Sequence, residues 1–263
     1  TCGEHEGRRG VNRLVEKALD SKTKAKEHGL YLPGLAACGV EFQDSFSNIS
    51  HPGVKESEID FLTKVPLMMR SMLTNELKIF FPNLSQKHLN KLIEVAICDT
   101  RFTPTLNFNQ IFSHVKNDFK KVKSLQLIME KIMNNLLEES KNQGLNNSFH
   151  LHMMPNLGFK EGREIIKYAT KHEFGTTDIQ FIINGAIKEA GLLLILNKYI
   201  YNISGNYPFG ETFNVRNAPK NHNQLVKMCK EKIPSAKMPL LVGVGDTVTS
   251  EKDNNSNAWL RGG

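Results

Sequence analysis

The stretch MPLLVGVGDTVTS, residues 238–250, leads from an apolar run directly into an aspartate framed by small residues. Residues 240–242 predict a short strand that is covered on both faces. In open α/β sheets, ligands bind just beyond the carboxyl ends of such strands. Asp246 is therefore placed either to bind a hard cation or a substrate, or to cap a turn, and this segment alone favours neither interpretation.

The composition is typical of a globular protein, with 263 residues, 40% of them hydrophobic and 23% charged. That length allows one large domain or two modest ones. The longest aliphatic run, GLLLIL at 191–196, is much shorter than the ~20 residues needed to cross a bilayer, and the polar start lacks the apolar core of a signal peptide. We therefore expect no membrane partner.

Cysteine usage and charge narrow the possible partners. The four cysteines lie far apart without CxxC spacing, which favours reduced thiols in the cytoplasm over disulfides or a zinc site. The formal charge of +7 would suit a nucleic acid, but the lysines are interspersed with acids and no nucleic-acid-binding motif accompanies them. We expect a solvated basic surface that helps to attract an anionic small molecule, and no nucleic acid. Nothing in the sequence specifies an oligomeric state.

Hydrophobic periodicity predicts the order of the elements. The pattern predicts helices over residues 8–28, several within 56–143, 161–172, 185–204 and 221–233, and strand-like segments at 29–44, 148–154, 178–184 and 240–242. This order favours an α/β core that is interrupted by an α+β insertion over about residues 60–205. A single continuous domain is the alternative.

Three polar clusters have the residue types of a phosphate site. In TCGEHEGRRG, the Thr1 hydroxyl and the amides of a helix start suit an anion, although a simple capping turn fits equally well. Lys220 begins a helix, where a cation is unfavourable for the dipole, so it is either exposed or faces a phosphate. Together with Asp246, a hydroxyl, a lysine and an acid predict a phosphate and Mg²⁺ site.

Two further pairs are weaker candidates. His150 and His152 would share one face of a strand, as two metal ligands could, but no third ligand is evident nearby and ordinary strand histidines are favoured. Cys2 and His5 could form a thiol nucleophile and its base, but nothing orients the pair.

Long strings of the chain resemble a known family. The strings are TCGEHEGRRGVNRLVEKAL, GLYLPGLAACGVEFQDSF, FIINGAIKEAGLL, YPFGETFNVRNAPKNH and VGVGDTVTS. They resemble the haloacid-dehalogenase-like phosphatases, and most closely the cyanobacterial glucosylglycerol-phosphate phosphatases of the salt-tolerance phosphatase family. The resemblance covers essentially the whole chain. It implies a partial Rossmann-like core, residues 1–60 and 205–263, with an inserted α+β cap, residues 61–204.

The resemblance also implies roles for the three site residues. Thr1 matches the residue that hydrogen-bonds the phosphoryl group, Lys220 the residue that neutralises phosphate charge, and Asp246 the acid that holds Mg²⁺. Relatives often carry a second acid where this chain has Ser250, so Glu251 or Asp253 could take its place. The Asp-x-Asp motif with the nucleophile is missing, and in family order it would precede Thr1. The chain is therefore expected to be a fragment of a longer protein and inactive alone.

The implied activity is a Mg²⁺-dependent phosphomonoesterase in the cytoplasm that acts on glucosylglycerol 3-phosphate through an aspartyl-phosphate intermediate. Its product would be a compatible solute that is made under salt stress. The cap would close over the sugar and exclude water. The alternatives are a trehalose- or sucrose-phosphate phosphatase, and a non-catalytic relative that binds sugar phosphates.

Overall fold

A computed structural model describes residues 4–6, 10–98, 101–115 and 118–241 of the chain. The helices are α1 Val11–Leu19, α2 Lys22–Glu27, α3 Glu56–Phe80, α4 Gln86–Ala96, α5 Asn109–Val115, α6 Phe119–Asn142, α7 Lys188–Ser204 and α8 His222–Lys232. The strands are β1 Gly34–Ala36, β2 Glu41–Gln43, β3 Ile49–Ser50, β4 Ile97–Cys98, β5 Thr105–Asn107, β6 Phe149–Met154, β7 Asn156–Lys160, β8 Arg163–Ile166 and β9 Asp178–Ile183.

The strands form three sheets with the orders β1-β2-β3, β4-β5-β9-β6 and β7-β8. All strand pairs within the described ranges are antiparallel. The fold is thus a mixture of helices and sheets, as the α/β prediction required. A parallel Rossmann-like sheet is not among these pairs, and the division into core and cap stays a prediction.

The four-stranded sheet has one apolar face and one polar face. Along β6, buried and partly buried residues alternate, with Phe149 inside the core and His150 on the opposite face. The Phe61 ring of α3 stacks on Phe149 at 5.3 Å and lies 5.9 Å from Phe181 of β9. Helices α3 and α6 cover the apolar face, and the polar side chains of the sheet lie on the opposite face.

The first predicted helix is two helices. The helix α1 ends at Asp20, which is left-handed, and the Ser21 side chain then accepts a hydrogen bond from the Lys24 backbone N–H to begin α2. The left-handed residue ends the first helix, and the capping serine starts the second. The predicted stop at Gly29 is confirmed by its φ of 60°.

The helix predicted over residues 161–172 is wrong. Residues 161–166 belong instead to the hairpin of β7 and β8, whose turn residues Glu161 and Gly162 have φ values of 52° and 77°, and residues 167–172 are irregular. Two successive left-handed residues form the turn that matches the twist of a hairpin. The short strands β4 and β5 also lie in a stretch that was predicted to be mostly helical.

The helix α7 packs against the N-terminal sheet and α8. A Cβ built on Gly191 of α7 would lie 3.0 Å from the Cα of Gly39, in the helical turn that follows β1. The two backbones therefore touch with no side chain between them. These contacts join α7 to segments that the predicted division assigns to the core.

The strand predicted at residues 240–242 is not observed where the chain is described. Leu240 is 91% exposed, Leu241 is 54% exposed, and neither belongs to a strand. A short apolar run becomes a strand only where neighbours pair with it, and no described strand does so here. Residues 242–263 lie outside the described part of the chain. Within that part, none of the helices has the length and apolar character to span a bilayer.

Candidate active site

The predicted site residues fall into two groups. Thr1, Cys2 and Asp246 lie outside the described residues, as do the possible second acids Ser250, Glu251 and Asp253. Lys220, His5, His150 and His152 lie inside them. The predicted meeting of Thr1, Lys220 and Asp246 therefore stays a prediction, and the geometry around Lys220 is what the structure contributes.

Lys220 is exposed, but its amine has a defined partner. Its Nζ donates to Oδ1 of Asn184 over 2.9 Å. Asn184 follows β9 and is itself anchored, because its backbone N–H donates to the Ser148 carbonyl and its Nδ2 donates to the Asn147 carbonyl. Lys220 is therefore held where β9 ends and β6 begins.

His150 lies next to this lysine on the polar face of the sheet. Burial, together with the charges of His152 and Lys220, lowers the pKa of His150 to about 4, although Glu164 opposes them. The buried Nδ1 of His150 has no hydrogen-bond partner among the described residues. At neutral pH this side chain is an uncharged imidazole with an unused nitrogen.

His152 is oriented by a carboxylate. Its Nδ1 lies 2.8 Å from Oε1 of Glu164, and Oε2 of Glu164 accepts hydrogen bonds from the Met153 backbone and from Asn156 Nδ2. Gln180 lies opposite His152 in the register of β6 and β9, and its buried Oε1 lacks a partner in the described structure. The face therefore carries fixed polar groups and two unused polar atoms.

The two histidines share one face, as predicted, and the described residues add no third ligand beside them. Within the described ranges, no group of three or more His, Cys, Asp or Glu side chains could hold a metal ion. Glu164 is already occupied by His152 and two N–H donors. The face is better suited to hydroxyl groups, which both donate and accept hydrogen bonds.

The segment that contains His5 forms a second polar cluster. The His5 backbone N–H donates to Oε1 of Glu41 over 2.8 Å, and His5 Nε2 lies 3.2 Å from the Gly34 carbonyl oxygen. Burial lowers the pKa of His5. Burial alone would raise the pKa of Glu41, but the His51 ring, whose Nε2 lies 3.8 Å from Oε2 of Glu41, and the hydrogen bond from the His5 N–H outweigh it and leave that pKa lowered.

Glu4 joins this cluster to the loop that follows β4. Its Oε1 accepts hydrogen bonds from the backbone nitrogens of Arg101 and Phe102, each over 2.6 Å. Arg101 Nη1 pairs with Glu6, and the His51 ring lies 4.2 Å from the Phe102 ring. Local sequence patterns missed these contacts, and their only signal was the density of acids and histidine in TCGEHEGRRG.

A partly buried ion pair joins the loop before α8 to the start of α3. Arg216 Nη2 lies 2.5 Å from Oε1 of Glu58, whose side chain is 1% exposed. Oε2 of Glu58 accepts a hydrogen bond from the Lys55 backbone N–H at the start of the helix. Sequence reasoning missed this pair too, since the two residues are 158 positions apart.

Comparisons with known proteins agree on one family. The family model described as glucosylglycerol-phosphate phosphatase matches residues 1–263. The glucosylglycerol-phosphate phosphatase of Synechocystis sp. (strain PCC 6803) is 44% identical to this chain over 269 residues. That similarity covers 100% of this chain and 63% of the relative, so the chain spans less than two thirds of that protein's length. No solved structure matches the chain.

Proposed function

The chain belongs to the glucosylglycerol-phosphate phosphatase family, and we propose that it forms part of a phosphomonoesterase that hydrolyses glucosylglycerol 3-phosphate to glucosylglycerol and phosphate. The observation that carries the proposal is the match of the family model over residues 1–263. The substrate is a small sugar phosphate, and the proposed location is the cytoplasm. The cysteines of the described residues are thiols, which agrees with a reducing compartment.

In the proposed site, the phosphate would bind between Thr1 and Lys220. The hydroxyl of Thr1 would donate to a phosphoryl oxygen, and Lys220 would neutralise its charge. Lys220 is suited to this role because its partner in the described structure is the neutral amide of Asn184, so no carboxylate cancels its charge there. Asn184 would aim the amine, as its own position is fixed by hydrogen bonds to Asn147 and Ser148.

Asp246 would hold Mg²⁺ in the proposed site. Its carboxylate is the hard oxygen ligand that this ion prefers, and the described residues offer no competing cluster of ligands. When bound, Mg²⁺ supplies positive charge that stabilises the transferring phosphoryl group.

A second lysine competes with Lys220 for the phosphate. Lys188 is exposed and is the first residue of α7, where a cation is equally unfavourable for the helix dipole. A phosphate near the start of α7 would remove that conflict for Lys188. Substitution of each lysine separately distinguishes the two.

The inserted unit would bind the sugar through the polar face of its four-stranded sheet. His150 Nδ1 and Gln180 Oε1 are buried polar atoms without partners in the described structure, and hydroxyl groups could satisfy both. We place this unit within the proposed cap, residues 61–204. The contacts of α7 with the N-terminal sheet favour ending the moving part before that helix.

The test is phosphate release by the full-length protein from a panel of sugar phosphates in the presence of Mg²⁺. We expect the highest kcat/KM for glucosylglycerol 3-phosphate. Equal or faster turnover of trehalose or sucrose phosphate would contradict the proposed substrate. Binding of sugar phosphates with no release from any of them would show a non-catalytic relative.

A further inference from the structure

The segment of residues 4–6 is held from two sides. Oε1 of Glu41, on strand β2, accepts the backbone N–H of His5 over 2.8 Å. On the other side, Oε1 of Glu4 accepts the backbone N–H groups of Arg101 and Phe102, both over 2.6 Å. The segment therefore lies between the N-terminal sheet and the loop after β4, which belongs to the inserted unit.

Burial makes these contacts specific. Glu4 is 7% exposed and Glu41 is fully buried, so neither carboxylate can exchange its protein partners freely for water. Both accept hydrogen bonds from backbone N–H groups, which fix the position of the main chain and not only of a mobile side chain. A hydrogen bond to a charged acceptor is roughly twice as strong as one between neutral groups.

Two more contacts bind the same loop to the N-terminal part of the chain. Arg101 Nη1 pairs with Oε2 of Glu6 at 2.5 Å, with both side chains more than one third exposed. The His51 ring, in the loop after β3, lies 4.2 Å from the ring of Phe102. The loop at 101–102 is thus joined to residues 4–6 by backbone hydrogen bonds and charge, and to His51 by a ring contact.

On the basis of the proposed function, we propose that Glu4 and Arg101 are positioning residues that couple the inserted unit to the phosphate-binding end of the chain. Thr1, the proposed phosphate ligand, is three residues before Glu4, so the chain between them reaches at most ~10 Å. The hydrogen bonds that hold Glu4 therefore limit the positions that Thr1 can reach. When the loop at 101–102 holds Glu4, fewer positions are open to Thr1 for binding phosphate.

The coupling has a direct consequence for binding. Loss of the Glu4 contact frees the segment next to Thr1, and the phosphate must then restore its order at a cost in affinity. The inserted unit would lose one of its attachments at the same time. Both effects weaken the binding of phosphate, even though neither Glu4 nor Arg101 touches it.

The test compares Glu4→Ala with Glu4→Gln in the full-length protein. Alanine removes the acceptor, whereas glutamine keeps an Oε1 that can accept from both backbone N–H groups. For Glu4→Ala we expect at least a tenfold weaker Kd for inorganic phosphate, a raised KM for the sugar phosphate and faster hydrogen exchange at the amides of Arg101 and Phe102. For Glu4→Gln we expect smaller losses than for Glu4→Ala, because the neutral amide oxygen keeps both hydrogen bonds in a weaker form.

Two further variants separate coupling from folding. Glu6→Ala removes a partly exposed partner of Arg101 and should weaken phosphate binding severalfold without unfolding the chain. Lys131→Met is the matched control, because Lys131 pairs with Glu76 at 2.6 Å between two helices of the inserted unit. That variant breaks a similar ion pair that does not reach residues 4–6, so phosphate affinity should be unchanged.

Unchanged exchange at Arg101 and Phe102 in a folded Glu4→Ala protein would overturn the contact itself. Faster exchange with unchanged phosphate affinity and KM would overturn the positioning role and leave only a structural one. Equal losses in Lys131→Met and Glu6→Ala would also overturn it. Failure of the proposed function is a different result, in which the unmodified protein releases phosphate from no sugar phosphate.

Discussion

Lys220 and Asn184 are joined by a hydrogen bond of 2.9 Å although 36 positions separate them in the chain. The contact connects the loop before α8 to the end of β9, beside the polar face that carries His150. It gives the lysine an exposed but defined position, which is what a residue that recognises an anion requires. The first prediction tests that role.

Replacement of Lys220 by methionine should lower kcat for the sugar phosphate by on the order of 10²–10³, because one preorganised charge contact to the phosphoryl group is lost. Steady-state kinetics of the full-length protein would measure this. Asn184→Ala should lower kcat less, since the Lys220 amine remains but no longer has the hydrogen bond that orients it. Lys237→Met, which changes an exposed lysine of the turn after α8, is the control.

A rate close to that of the unmodified protein in Lys220→Met would remove this lysine from the site. If Lys188→Met shows the large loss instead, the start of α7 is the phosphate-binding position. Losses of similar size in Lys237→Met would indicate a general effect of surface charge on an anionic substrate.

Asp246→Asn should raise the Mg²⁺ concentration needed for half-maximal activity and lower kcat, because an amide is a poorer ligand than a carboxylate for a hard cation. A magnesium titration of the full-length protein is the measurement. Asp253→Asn and Glu251→Gln serve as comparisons, since each is a possible second acid. An unchanged titration for Asp246→Asn would remove it from the metal site.

The partly buried His150 should make stability depend on pH. Its pKa is lowered from the usual 6.5 to about 4 in the folded chain, so between these values the unfolded chain binds a proton that the folded chain does not. The free energy of unfolding therefore increases as the pH rises through this window and decreases as the pH falls through it. For one proton the slope is at most about 1.4 kcal/mol per pH unit.

Urea unfolding of His150→Gln between pH 4 and 7 would check this dependence. The variant should show a shallower decline of stability toward acid than the unmodified chain. His28→Gln, which changes an exposed histidine after α2, should leave the decline as it is. Parallel curves for His150→Gln and the unmodified chain would contradict the assignment.

Gly191→Ala should destabilise the chain although alanine favours a helix by about 1 kcal/mol over glycine. The added Cβ would lie 3.0 Å from the Gly39 Cα, and backbone atoms cannot yield as a flexible side chain can. Overpacking of this kind costs about 1–3 kcal/mol, which outweighs the gain in propensity. Thermal unfolding would show a lower Tm. Asn202→Ala, on an exposed position of the same helix, should raise it slightly.

Hydrophobic patterns along the sequence predicted those elements that short stretches of residues determine by themselves. The alternation in β6 and the apolar content of α7 were sufficient, and both elements are confirmed. The prediction failed at residues 161–172 because the apolar spacing there fits a helix, whereas the turn at Glu161 and Gly162 sets a hairpin. Local reasoning could not reach pairings such as that of β5 with β9.

The candidate site shows the same limit. The sequence singled out Lys220 from its place at a helix start, but its partner Asn184 comes from the end of a distant strand. Glu4 was only one member of an acidic cluster until the structure brought it to Arg101, 97 positions away. Residue types indicate which chemistry is possible, whereas tertiary packing decides which groups meet.

The contact of Gly39 with Gly191 has a mechanical meaning. A joint with no side chains between two backbones has no rotamers to rearrange, so it cannot absorb a displacement by repacking. The turn after β1 and the helix α7 should therefore move together as a rigid body. If the molecule opens, the movement must occur elsewhere. The Arg101–Glu6 ion pair can break and re-form during such a movement, because both side chains are long and more than one third exposed.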